Sequence, residues 1–124
     1  LLLSFSYLQA QESKPEFYIY YFHATHRCPT CIAVEEEMKK TLDENFKTQV
    51  EKGEIVFESY DYELSKNTAI KEKYQIWGST LLLVKTEGGK EKTLDITNLG
   101  FMYALNNPDR YRREVSEKVR EFMK

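Results

Sequence analysis

Both cysteines of the chain stand two residues apart in "HATHRCPTC", and both of its histidines lie just before them. Residues of these types at this spacing support three readings. Cys28 and Cys31 can form a reversible disulfide, as thiol–disulfide exchange requires: one thiolate attacks a disulfide sulfur and a second thiol resolves the mixed disulfide. Together with His23 and His26 they offer two nitrogens and two sulfurs, a donor set suited to tetrahedral Zn or to Cu(I). The third reading is a pair of small buried hydrophobes. A c-type haem is excluded, because Ile32 follows Cys31 where CxxCH requires His. A purely structural staple gains little, since the bridge closes a loop with only two intervening residues and removes little unfolded-state entropy.

The elements around the motif decide how it is presented. "FYIYYFHA" (17–24) is a continuous aromatic and β-branched run, short enough for a strand buried on both faces. Pro29 then stands where a helix begins, its missing N–H harmless in the first turn. Val34, Met38, Leu42 and Phe46 form one apolar stripe, with Glu35, Glu36, Lys39 and Lys40 on solvated faces, and Gly53 predicts the end of the helix. Residues 54–63 read as a second strand. A short helix follows, capped by Ser65 or Asn67 and carrying Ala69, Ile70 and Tyr74. Residues 79–87 and 90–97 read as strands joined by a Gly88-Gly89 hairpin, and 101–107 as a helical turn or loop. Asn107 and Pro108 open a final helix with the stripe Tyr111, Val115, Val119 and Phe122. The order is β-α-β-α-β-β-α: an α/β domain with a mixed central sheet and helices on both faces.

The remaining features narrow the function classes. The chain has 124 residues, 41% hydrophobic and 31% charged, with net charge −2, so neither nucleic acid nor an anionic membrane is an expected partner. No carboxylate pair, Ser/His/Asp set or Gly-rich phosphate loop occurs. The charge-rich runs "VEEEMKK" and "RYRREVSEKVRE" read as solvated helix faces with i,i+4 pairs. Residues 1–10, "LLLSFSYLQA", read as the remnant of a secretory signal, too short for a membrane span, and 11–16 as a linker, which leaves 17–124 as the domain. Export implies a periplasmic or secreted setting that permits disulfides.

A CxxC between the first strand and the first long helix, in this element order, resembles the thioredoxin superfamily. "KYQIWGSTLLLV" (73–84) is similar to the segment that carries the family's cis-proline loop and third strand. "YYFHATHRCPTC" is also similar to the small ArsF-type thioredoxin-like proteins. The resemblance implies a thiol–disulfide oxidoreductase whose substrate groove is lined by Thr80 or Ser79, with Trp77 and Arg27 at its rim. Two positions depart from the family. Thr80, or Ser79 with a one-residue gap, stands where the cis-proline shapes the groove and disfavours metal binding. Phe22 replaces the buried acid that thioredoxins carry, an acid that glutaredoxin-like members also lack.

Position assigns the roles. Cys28 at the helix N-terminus is the nucleophile, favoured as a thiolate by free N–H groups and by Arg27 and His26. Cys31, one turn further in, is the resolving thiol. Pro29 and Thr30 modulate the pair without placing a cation between the sulfurs. Expected partners are protein thiols or disulfides, or a redox partner protein, with no cofactor beyond the disulfide itself. The alternatives are a Zn or Cu module using His23, His26, Cys28 and Cys31, and a non-catalytic interaction subunit of the same fold.

Overall fold

The computed structural model describes residues 17–124, so the expected signal and linker (1–16) lie outside the described residues. Four strands form one sheet in the order β2-β1-β3-β4. β1 (Phe17–His23) and β2 (Ile55–Asp61) run parallel, whereas β3 (Thr80–Glu87) is antiparallel to both β1 and β4 (Lys90–Asp95). The parallel pair needs a long crossover, supplied by α1 (Pro29–Asn45) and α2 (Lys47–Glu51). A 3-10 turn (Ser65–Asn67) and α3 (Thr68–Lys73) lead to β3, while α4 (Thr97–Tyr103) and α5 (Pro108–Met123) complete the chain. This is the α/β arrangement with a mixed central sheet expected from the sequence, with α2 and α4 in addition.

Side chains of β1 alternate between two environments. Phe17, Ile19 and Tyr21 join Val34, Met38, Leu42 and Phe46 of the α1 stripe and Tyr111, Val115 and Val119 of α5 in one core. The Tyr111 hydroxyl donates to the Val34 carbonyl (2.8 Å) and so ties α5 to α1 inside that core. On the opposite face the Tyr74 ring, at the end of α3, packs on Tyr20 and Phe22, with centroids 5.7 and 6.4 Å away. Helices therefore cover both faces, but the second cover is one short helix, and Tyr18 and Tyr20 stay half-buried there.

Several boundaries differ from the sequence expectations. The first long helix breaks at Phe46 (φ −136°, ψ 21°), which keeps the last stripe residue in the core before α2 begins. Gly53 (φ +73°) then ends α2, with the Glu54 N–H donating to the Gln49 carbonyl (2.8 Å) as in a Schellman turn. The last strand stops at Asp95 rather than 97, because Asp95 Oδ1 accepts from the Thr97 N–H (2.9 Å) and turns the chain into α4. That turn starts a helix at 97 where 101–107 was expected as a turn or loop. Neither Ser65 nor Asn67 caps α3 with its side chain; the Asn67 amide instead donates to the Asp61 carbonyl (2.9 Å). The Gly88-Gly89 hairpin (φ +59° and +78°) and the Asn107 cap of α5 are as expected.

α3 ends in a second Schellman turn, closed from Ile76 N–H to the Lys71 carbonyl (2.9 Å), and Gln75 occupies its left-handed position at φ +53°. A side chain there costs about 1 kcal/mol that glycine does not. Gln75→Gly is expected to stabilise the fold by at most about 0.5 kcal/mol in urea unfolding, after glycine's own entropic cost.

Candidate functional site

The strand register brings the site together. His23 ends β1 opposite Asp61 at the end of parallel β2, and Thr80 opens β3 opposite Phe22. The β1–α1 loop, the turn after β2 and the loop before β3 therefore meet at one end of the sheet. Cys28 is the N-cap of α1, with Pro29 in the first helical turn. Its sulfur accepts the Cys31 N–H (3.1 Å) and its carbonyl accepts the Ile32 N–H (3.0 Å). The free N–H of the helix start thus points at the atom expected to carry thiolate charge. Cys28 and Cys31 are joined as a disulfide, with Cys28 exposed and Cys31 and Thr30 half-buried. The Tyr21 hydroxyl, on the core face of β1, donates to the Cys31 carbonyl (2.8 Å) and fixes this first turn against the sheet.

The loop before Cys28 is held by a residue that the sequence reading left without a role. Asp61 accepts from the Thr25 hydroxyl (2.7 Å) and from the Glu63 N–H (3.0 Å), while the Tyr62 N–H donates to the His23 carbonyl (2.9 Å). The Thr25 and Glu63 hydrogen bonds keep the Asp61 carboxyl below the usual range, with His23 and Arg27 adding to the effect. The only sequence sign of this role is an Asp at the end of a strand, placed to form an Asx turn.

The four candidate metal donors are not brought together. The buried His23 ring lies against the Arg27 guanidinium, its Nδ1 3.1 Å from Arg27 Nε and 2.8 Å from the Ala24 carbonyl. His26 is exposed and the sulfurs are bonded to each other. Among the described residues no three His, Cys, Asp or Glu side chains gather as metal ligands.

Arg27 is half-buried and engaged by other side chains. It pairs with Glu35 on α1 (3.3 Å), and Glu35 also meets Lys39 (3.4 Å) and the Ser59 hydroxyl on β2. Glu35 and Glu37 are buried, which corrects the solvated reading of "VEEEMKK". Glu37 pairs with Arg112 of α5, which also reaches Glu44 (3.3 Å). Glu35 lies one residue off the Val34–Met38 stripe and one turn after Cys31, a border position that a helical projection marks but cannot settle.

Trp77 is 91% exposed. Thr80 and Ser79 are half-buried, and the Thr80 hydroxyl donates to the Gly78 carbonyl (2.9 Å), so it shapes the loop between Trp77 and β3. Among the described residues every peptide bond is trans, those around Ser79 and Thr80 included. No described helix is long and apolar enough to cross a membrane.

Burial alone would raise the Glu35 carboxyl, but Ser59, Arg27 and Lys39 more than offset this and hold it below the usual range. A lowered folded-state pKa gives stability that is present above the unfolded pKa of about 4.3 and is lost as pH falls through the folded value. Glu35→Gln is therefore expected to cost about 1.5–3 kcal/mol at pH 7. The gap to the parent protein should narrow in urea unfolding series taken progressively below pH 4.

No family model and no curated protein matches the chain. Among solved structures it is similar to one titled "Structure of a malarial protein", with TM-score 0.44 and 20% identity over 72% of this chain and 92% of that one. It is also similar to the solution structure of a thioredoxin from Thermus thermophilus, with TM-score 0.49 and 16% identity over 81% of this chain and 74% of that one.

Proposed function

We propose that the chain is a thiol–disulfide oxidoreductase in which Cys28 is the attacking thiolate and Cys31 the resolving thiol. The observation that carries this reading is the Cys28 sulfur, exposed at the N-cap of α1 and facing the Cys31 N–H at 3.1 Å. In the oxidised state the exposed Cys28 sulfur accepts attack by a partner thiolate, which gives a mixed disulfide and releases Cys31. Attack by a second partner thiol then leaves both cysteines reduced and the partner oxidised. In the reverse direction the Cys28 thiolate attacks a partner disulfide and Cys31 closes the internal bridge. Hydrogen bonding and the helix dipole favour the thiolate, and lower its pKa below the roughly 8.5 of a free cysteine. The leader-like composition of residues 1–10 supports an exported setting in which both directions are open.

The partner is a protein rather than only a small thiol. Trp77, exposed beside the loop that meets the cysteine end of the sheet, and Ile32, 46% exposed next to Cys31, give apolar contact area where a protein strand would lie.

Cys28→Ser is expected to abolish insulin reduction and dithiol oxidation, while Cys31→Ser accumulates mixed disulfides that survive non-reducing electrophoresis. Unchanged turnover in Cys28→Ser would sink the reading. Removing the short bridge should leave thermal stability nearly as it was. Trp77→Ala is expected to raise KM several-fold for a protein disulfide and to leave exchange with glutathione unaffected. Equal effects on both substrates would count against a docking role.

A further inference from the structure

The charges beneath the cysteine motif are arranged in opposition. Arg27 immediately precedes Cys28, and its side chain is 26% exposed. Glu35, one helical turn beyond Cys31, meets it at 3.3 Å with a side chain only 11% exposed. The other groups around Glu35 are Lys39 on α1, whose ammonium is 3.4 Å away but more than half exposed, and the neutral Ser59 hydroxyl on β2. On its far side Arg27 rests against the His23 ring of β1.

The Tyr21 hydroxyl connects these charges to the cysteine turn. It donates to the Cys31 carbonyl, inside the first turn of α1. Burial is the main cause that pushes its pKa up to about 12, but Arg27 pulls it down and Glu35 pushes it up. Both charges therefore act, with opposite signs, on the hydroxyl that is bonded to this turn.

We propose that Glu35 is the counter-charge that sets the reduction potential of the Cys28–Cys31 couple, by offsetting the Arg27 charge beside Cys28. This rests on the thiol–disulfide reading above. Reduction takes two electrons and two protons from a partner dithiol, whose sulfurs join as a disulfide. Cys31 keeps one proton as a thiol, and Cys28 gives the other up to solvent and stands as a thiolate. Arg27 stabilises that thiolate, and hence the reduced state, which raises the potential; Glu35 weakens the effect. Glu35 touches neither substrate nor sulfur and is a positioning residue that acts through Arg27.

The two halves of the pair must then move the couple in opposite directions, a pattern that a merely structural ion pair does not produce. In glutathione redox buffers, E35Q is expected to lower the Cys28 pKa, read from thiolate absorbance, and to make the couple more oxidising. The exchange equilibrium should shift several-fold to tenfold, where tenfold is about 30 mV for two electrons. R27Q is expected to raise the Cys28 pKa and make the couple more reducing by a comparable factor. The double variant should return close to the parent value. If E35Q does not fold, E35D keeps the charge but draws it back from Arg27, and should shift the couple in the E35Q direction by a smaller factor. Single variants that leave the potential unchanged, or that shift it in the same direction, would overturn the proposal while a parent protein that still cycles leaves the oxidoreductase reading standing. A parent protein that shows no reversible couple would overturn both.

Discussion

The Cys28 side chain is both the N-cap of α1 and the accessible end of the cysteine pair, and the rest of the site depends on that double use. A helix start leaves N–H groups without intrahelical partners. Here the Cys31 N–H is turned to the Cys28 sulfur, so the group that completes the helix is also the one that stabilises charge on the sulfur. The helix cannot slide or tilt without losing this alignment. Its stripe of Val34, Met38, Leu42 and Phe46 is locked into the core, and Tyr21 and Tyr111 each bond a carbonyl of its first two turns.

Around this fixed start the chain places charge in a graded way. Asp61 is spent on loop geometry, holding Thr25 and the backbone after β2. Arg27 and Glu35 form a pair at the border of the core, where Coulomb interactions are less screened than at the surface. Arg112 and Glu37 do the same between α5 and α1 and serve helix docking. Two buried glutamates two residues apart on one helix thus serve different ends, because their partners come from different elements.

The sheet is asymmetric in its cover. Its core face carries α1, α4 and α5 among its helices, and its other face carries aromatic rings with one short helix over them. Phe22 belongs to that second face, where it stacks with Tyr60 at 5.6 Å. No carboxylate enters the core from this strand position; the buried acid near the motif comes from the helix, as Glu35.

The sequence alone determined the order of the four strands and of α1, α3 and α5 among them, the α1 and α5 stripes, the Asn107 cap, the Gly88-Gly89 hairpin and a CxxC at a helix start. Each is a local property: a period of two or 3.6, a turn residue, a cap within four positions of what it caps. What only the tertiary structure decided rests on partners far along the chain. Glu35 is buried because Ser59, 24 residues away, and Arg27 receive it, and Glu37 because Arg112 does so from 75 residues away. Phe46 breaks a helix that contains no glycine or proline at that point, because core packing outweighs a few backbone hydrogen bonds. His23 sits against Arg27 instead of beside the sulfurs because β1 ends with it on the core face. Periodicity marks which residues lie near a border, but the free energy that buries a charge comes from the group that meets it, and that group is fixed only when the sheet register is.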